Sequence, residues 1–451
     1  MLALWITAAW AKPEAPAVFC ELYEAAPHCA AGETSCSECH DAAGPPVMNP
    51  YGDDVAAAVA GYTDFAAELP AALEAIEGDD SDGDGLDNLA EIEAGTWPGS
   101  ADEVESECSA QTQTNNPFYA LGAWDAAFAW KRVMHDFCGR RPRYEEVQAF
   151  EASADPAGEV SSLLTACLSS PYWDEVLWEI GYGVVNPLGQ GGDINPLGNF
   201  EWDLRLFAYA TSGDRDAGDL LSASYLVVEE PVNSGVLVAV DDPRNEGEDY
   251  SQPLPAEHRF GLITTRYSLA MRVMFSEVPR NLASHYYREL LGFDISLSEG
   301  LYPIDEQPGV YHYAAPADVD DKGVWQEECA GCHTTLDPLA YPWARYNGID
   351  LTGDTTGTWL EDRAADILPT TEGWILGEQV SGPAEWVEVA VASDAFAEQV
   401  TLLFWDYLLQ REPYSCEEES FEALWTGLRD GGRNVETMLH ELVLTEAYGR
   451  P

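Results

Sequence analysis

The sequence predicts a mainly α-helical protein. Apolar residues recur at helical spacing, as at Leu121, Trp124, Phe128, Val133 and Phe137. Only two short runs, Tyr225–Val228 and Val236–Val240, read as strands. Helix-stop signals punctuate the chain, and Gly95-Thr96-Trp97-Pro98-Gly99 is the clearest of them.

At 451 residues the chain is longer than one hydrophobic core usually serves, and 46% of it is apolar. A division into about two to three packed domains follows. The first eleven residues, Met1 to Ala11, are expected to be a signal peptide. They are apolar and end Ala9-Trp10-Ala11, a small-x-small cleavage pattern, although the n-region carries no positive charge and the h-region is short. Residues 12–105 form a first module. It holds an alanine-rich helical stretch, Val55 to Ile76, an acidic loop, Asp79 to Asp87, and a short helix, Leu89 to Ala94. The polar run Ser100 to Asn116 reads as a linker.

Residues 117–310 form a helical middle domain. Beyond Phe118–Phe137, helices are predicted at 143–153, 159–168, 171–181 and 199–210, then over Leu262–Met274 and Val278–Leu291. The charged, Gly/Pro-bearing stretch Asp241 to Pro255 reads as a surface loop. Residues 311–451 form the last domain. It is loop-rich from Asp337 to Gly382, then helical at 384–391, 394–410, 417–429 and 435–447. No other stretch reaches the roughly 18 continuous apolar residues that a membrane span needs.

Asp plus Glu number 80 against 21 Lys plus Arg, for a formal net charge of −59. Such a surface repels nucleic-acid phosphates and anionic membranes and attracts cations or a basic protein. Because the acidic residues are spread along the chain, solubility in a salty medium is an equally physical reason for them.

Two segments carry the chemistry: Cys36-Ser37-Glu38-Cys39-His40 and Cys329-Ala330-Gly331-Cys332-His333. Two cysteines with two residues between them straddle one edge of a porphyrin and form thioether bonds to its former vinyl groups. The adjoining histidine then falls under the iron as an axial ligand. A zinc half-site or a thioredoxin-like pair also uses Cys-x-x-Cys. Neither requires a histidine directly afterwards, and neither explains the recurrence. The expected architecture is therefore two cytochrome c-like haem modules flanking a helical middle region. The expected cofactors are two covalent c-type haems on Cys36, Cys39, Cys329 and Cys332, with His40 and His333 binding iron.

The second motif runs on as Thr334-Thr335-Leu336-Asp337-Pro338-Leu339-Ala340, then Arg345-Tyr346-Asn347-Gly348-Ile349. Upstream lies His258-Arg259-Phe260-Gly261-Leu262-Ile263-Thr264, and the chain ends in helices that include Leu442 to Tyr448. In these features residues 117–451 resemble planctomycete-type cytochrome c-like haem-binding proteins. The likeness is specific around 329–349. It departs from the family pattern at Ala340, where a Gly is usual, and over 276–290. It implies haem and export, and no substrate. The first module is similar to small bacterial cytochrome-like units, in which Cys-x-x-Cys-His is followed by Asn-Pro-Tyr-Gly, here Asn49-Pro50-Tyr51-Gly52.

The residues leave the distal iron ligands open. Met48 and His28 are candidates at the first haem. Met438, His440, Met271, Met274, His258, His285 and His312 are candidates at the second. A Met thioether raises the reduction potential, a second His lowers it, and an open site allows ligand binding.

Six cysteines remain: Cys20, Cys29, Cys108, Cys138, Cys167 and Cys416. In an exported chain they suggest up to three disulfides, with Cys20–Cys29 the most local of the 15 possible pairings, and free buried thiols are the alternative.

Asp80-Ser81-Asp82-Gly83-Asp84-Gly85-Leu86-Asp87-Asn88-Leu89-Ala90-Glu91 fits the Asp-x-Asp-x-Asp-Gly-x5-Glu calcium loop. Carboxylates of Asp80, Asp82, Asp84 and Glu91 and the Leu86 carbonyl would ligate Ca²⁺, with Asn88 contributing directly or through water. Asp87 departs from the apolar residue usual in paired EF-hands, so the loop is similar to single dockerin- or thrombospondin-type loops.

Together these features lead to an exported, extracytoplasmic dihaem electron-transfer protein with a redox partner protein, one that a basic surface would suit. A haem enzyme (a peroxidase or small-molecule oxidoreductase) and a surface binding or structural protein with incidental haem are the alternatives. No Ser-His-Asp arrangement or phosphate loop is recognisable, and no catalytic residue is assigned. Asp136, Asp337 and Glu328 read as ordinary helix or loop charges beside histidines.

Overall fold

The computed structural model describes residues 15–23, 25–29, 34, 38–40, 48–59, 65–83, 85–100, 124–186, 200–231, 234–241, 254–294, 333, 336–351, 355–366, 368, 370–414 and 417–450. Among these the protein is mainly α, with 59% helix against 6% strand. The chain divides into two compact units, Met1–Pro117 with Tyr414–Cys416, and Phe118–Pro413 with Glu417–Pro451.

The first unit is built around the Ala15–Leu22 and Phe65–Ala75 helices, whose apolar faces meet, and the Pro50–Ala58 helix against the latter. Phe19, Tyr51, Val55, Leu69, Leu73 and Ile92 fill its core. The stretch expected as one helix, Val55 to Ile76, is two helices, ending at Ala58 and restarting at Phe65. Cys20 and Cys29 form a disulfide, the local pairing expected. The Asn88–Ala94 helix ends on Gly95 at φ 82°, a left-handed turn that glycine adopts without a Cβ clash.

In the second unit the sequence draws a boundary near residue 310, but the core does not. Helices from both sides of that position fill one apolar interior, from Ala129 and Val133 to Phe404, Leu439 and Tyr448. The reason is visible where the two ends of the unit meet. Trp124 Nε1 donates to the Val443 carbonyl at 3.0 Å, and the Asp125 amide donates to the Gly449 carbonyl. Arg132 reaches the Tyr448 carbonyl at 2.9 Å and the Leu408 carbonyl at 2.7 Å. Gly449 has no Cβ because Trp124 occupies that space, with its Cδ1 only 2.0 Å from where the atom would sit.

Local sequence fixes most helix ends here. Ser170, Ser393 and Asn434 cap Pro171–Val185, Asp394–Leu409 and Val435–Leu442, each accepting an otherwise orphaned amide. Cys138 and Cys167 pair across the Ala126–Asp136 and Pro156–Leu168 helices. The two expected strands form an antiparallel hairpin, with Leu226 opposite Val240 and Glu229 opposite Leu237. A second hairpin, Gly373–Ile375 with Glu378–Val380, lies in the stretch expected to be loop. The segment expected as a helix over Leu262–Met274 is irregular: a 3₁₀ turn at Gly261–Thr264, one α turn at Arg266–Ser268, then a π-helix at Leu269–Val273. No helix among the described residues is long and apolar enough to cross a membrane.

Candidate functional site

Cys39 and His40 of the first motif are described, while Cys36 lies outside the described residues. The Asn49-Pro50-Tyr51-Gly52 segment clasps this turn. The Asn49 amide donates to the Cys39 carbonyl at 3.1 Å, and its Nδ2 donates to the Glu38 carbonyl at 3.1 Å. Its side-chain oxygen accepts from the Gly52 amide at 2.7 Å, capping the Pro50–Ala58 helix. Gly52 has to be glycine, because a Cβ there would fall 1.9 Å from the Cys39 carbonyl oxygen. Tyr51 beside it is fully buried, and its hydroxyl has no partner among the described residues.

Glu38, inside the motif, is also buried. Its Oε2 accepts from the Thr34 hydroxyl at 2.8 Å and lies 3.3 Å from His28 Nδ1. The His28 ring in turn stacks on Trp97 with centroids 4.0 Å apart. His40 and Met48 are a cross-strand pair in an isolated antiparallel bridge. Such pairs place their Cβ atoms about 4.5–5.5 Å apart on one face. Two residues so placed do not face each other across a porphyrin, which counts against Met48 as the distal partner of His40.

Of the second motif, His333 is described, while Cys329 and Cys332 lie outside the described residues. Its Nδ1 lies 3.0 Å from Asp337 Oδ1, one helical turn on. Asp337, expected to be an ordinary loop charge, is completely buried. Arg280 grips the same carboxylate through Nε at 2.5 Å and Nη2 at 2.7 Å. A buried carboxylate is stable only when its oxygens are paired, and the forked guanidinium pairs both. The missed signal in the sequence is the His-x-x-x-Asp spacing, which puts the two side chains on one helical face. Arg280, 57 residues upstream, carries no such signal.

The segment after the motif is pinned from below. Arg345, buried, donates to the Leu368 carbonyl at 2.7 Å and to the Arg363 carbonyl. The Ile349 amide donates to the Met274 carbonyl at 2.7 Å, and a Cβ on Gly348 would sit 2.0 Å from that same oxygen. Met274 itself has φ 52°, a left-handed conformation rare outside glycine.

The other distal candidates scatter. Met438 is buried in the core, His440 lies 3.3 Å from the Thr165 hydroxyl, and His258 stacks on Trp359 at 4.2 Å. Met271 packs against the small cluster of Val185, Phe200, Leu204 and Tyr267. Met274 is 41% exposed, and His312 lies outside the described residues. His285 is buried, with neither ring nitrogen hydrogen-bonded to a side chain. Burial, reinforced by the Arg272 and Arg288 cations, holds its pKa down to about 3. Beside Arg272, the buried Asp203 accepts from the Thr265 hydroxyl at 2.5 Å. Burial pushes this carboxyl up to about 7 despite that bond.

In the acidic loop Asp80 accepts the Gly83 amide on Oδ1 at 2.8 Å and the Gly85 amide on Oδ2 at 3.0 Å, which winds the loop around its first position. Glu91, the twelfth position, is fully buried on the Asn88–Ala94 helix. Asp87 caps that helix through the Ala90 amide. Asn88 is turned inward, with its amide group donating to the Ile76 carbonyl at 2.7 Å and accepting from the Ser81 amide at 3.3 Å. This leaves its side chain poorly placed to serve as a ligand. Asp84 lies outside the described residues, and among those described no three His, Cys, Asp or Glu side chains converge on a metal position.

The Asn49–Gly52 clasp holds the Cys39 turn of the first motif, and Asp337 engages His333 at Nδ1. No family model, curated protein or solved structure matches the chain.

Proposed function

We propose that this is an exported dihaem c-type cytochrome that transfers electrons outside the cytoplasm. The observation that carries the reading is the pair of Cys-x-x-Cys-His motifs. Cys36 and Cys39 would hold one haem with His40 as axial ligand, and Cys329 and Cys332 a second with His333. Haem supplies a one-electron iron couple at each place, and the chain orients the axial rings and limits water. Two disulfides, Cys20–Cys29 and Cys138–Cys167, support an oxidising compartment. The acidic surface suits a basic redox partner. We include one structural Ca²⁺ at Asp80, Asp82, Asp84, the Leu86 carbonyl and Glu91 in the reading.

The test is expression in a host competent in cytochrome maturation, followed by a pyridine haemochrome assay and intact mass. Two covalent haems per chain are expected. A mature polypeptide that weighs no more than its amino acids sinks the proposal.

A haem enzyme is the second reading. One observation favours it: the second motif belongs to a large unit with a single extended core, far more protein than an electron carrier needs. Peroxide-dependent oxidation of a dye, with a high-spin ferric spectrum at one haem, would decide for the enzyme.

A further inference from the structure

We propose that Asp337, gripped by Arg280, is a positioning residue that fixes the tautomer and donor strength of His333 and thereby holds the second haem at a lowered reduction potential. The inference rests on the haem reading above and deepens it.

The geometry supplies the argument. Asp337 Oδ1 lies 3.0 Å from His333 Nδ1, so the ring proton sits on Nδ1 and the Nε2 lone pair is left for the metal. A carboxylate acceptor draws on that proton more strongly than a neutral carbonyl does, which raises the basicity of the opposite nitrogen. A more basic axial ligand stabilises ferric over ferrous iron, and the one-electron couple moves down. Arg280 makes the arrangement durable. Asp337 is completely buried, and a buried carboxylate holds its place only when its oxygens are paired. The fork from Nε and Nη2 keeps it aimed at His333. The two residues therefore act on the potential in the same direction, Asp337 through the ring proton and Arg280 by holding Asp337 in place.

The experiment is a mediator-coupled spectroelectrochemical titration of the full-length, haem-loaded chain. The wild type is compared with Asp337→Asn, Asp337→Glu and Arg280→Gln. In Asp337→Asn one of the two one-electron waves should rise by at least tenfold in the ferric/ferrous equilibrium, about 59 mV. The wave of the first haem should stay in place as an internal control. Asp337→Glu, which keeps the charge, should return the wave to within about twofold of wild type. Arg280→Gln should shift the same wave upwards, because the carboxylate loses the fork that aims it at His333. A merely structural role would not confine both shifts to one haem, nor allow rescue by Glu. A haem-loaded Asp337→Asn protein with both waves unmoved overturns the inference while leaving the haem reading intact. A wild-type chain without covalent haem overturns both. If Asp337→Asn does not accumulate, Arg280→Gln carries the test, and an unmoved or lowered wave overturns the inference.

Discussion

Gly52 lies so close to Cys39 that a side-chain carbon on it would sit 1.9 Å from the Cys39 carbonyl oxygen. That approach explains why Asn-Pro-Tyr-Gly follows the first motif: the cap, the helix start and the glycine together seat the Cys39–His40 turn. Gly52→Ala forces the helix and the turn apart, at about 1–3 kcal/mol. The expected outcome is a first unit that loads haem poorly while the second loads normally. Haem counting per chain checks it, and the idea fails if the variant carries both haems with an unchanged melting temperature.

Arg132 closes the second unit by bonding backbone carbonyls of Leu408 and Tyr448, and its guanidinium lies 4.3 Å from the Tyr448 ring centroid. Arg132→Ala strands two carbonyls and exposes the ring. A loss of about 2–4 kcal/mol is expected from hydrogen bonds to a charged group and the unpaired acceptors. Because the middle and C-terminal helices share one core, urea unfolding should show their transition moving as one. Separate transitions for 118–310 and 311–451 would contradict the single core.

Much of this was legible in local sequence, because caps, prolines and apolar spacing act within a turn or two. Ser170 before Pro171 and Ser393 before Asp394 mark helix starts that the structure keeps. Cys20–Cys29 was legible for the same reason, its partners standing nine positions apart in sequence. Cys138–Cys167 was not, since only the packing of two helices brings those Cα atoms to 4.9 Å. The Gly373–Val380 hairpin has three-residue strands, too short to show alternation. At the candidate site the cysteines and histidines were legible as a motif. The His333–Asp337 contact was signalled by its spacing, while the Arg280 grip on Asp337 was hidden, because Arg280 reaches it from another part of the chain.

Two buried groups make opposite contributions to pH dependence. The Asp203 carboxyl is raised to about 7 by burial. Its folded pKa lies above the unfolded one, so its stabilising share is complete below about pH 4 and is lost as pH rises through about 7. His285 is lowered to about 3, so its share is present above about pH 6.5 and is lost as pH falls towards 3. Each contributes on the order of a few kcal/mol at full extent. Asp203→Asn should therefore flatten the decline in stability between pH 4 and 7, and His285→Gln should reduce the loss below pH 6. Urea midpoints across pH 3 to 8 check both, and an Asp203→Asn profile parallel to wild type would refute the first.

Glu91 is a fully buried carboxylate at the last position of the acidic loop, and Asp80 already organises the turn through two glycine amides. Burying a carboxylate costs several kcal/mol unless a cation or hydrogen bonds compensate it. Calcium would bring Glu91, Asp80 and Asp82 into one coordination shell with the Leu86 carbonyl. Binding only to the folded state stabilises by about 2.7 kcal/mol at a hundredfold excess over the dissociation constant. The melting transition of the first unit should therefore rise with millimolar Ca²⁺ and fall with chelator, while the second unit stays put. Glu91→Gln removes the bidentate ligand but keeps the shape, so it should abolish the calcium response without unfolding the unit. Asn88→Ala separates the two roles of the loop: it costs stability through the lost Ile76 and Ser81 contacts, yet the calcium-dependent rise should survive. Scanning calorimetry with and without chelator measures each case, and a first-unit transition indifferent to calcium would show that the acidic turn binds none.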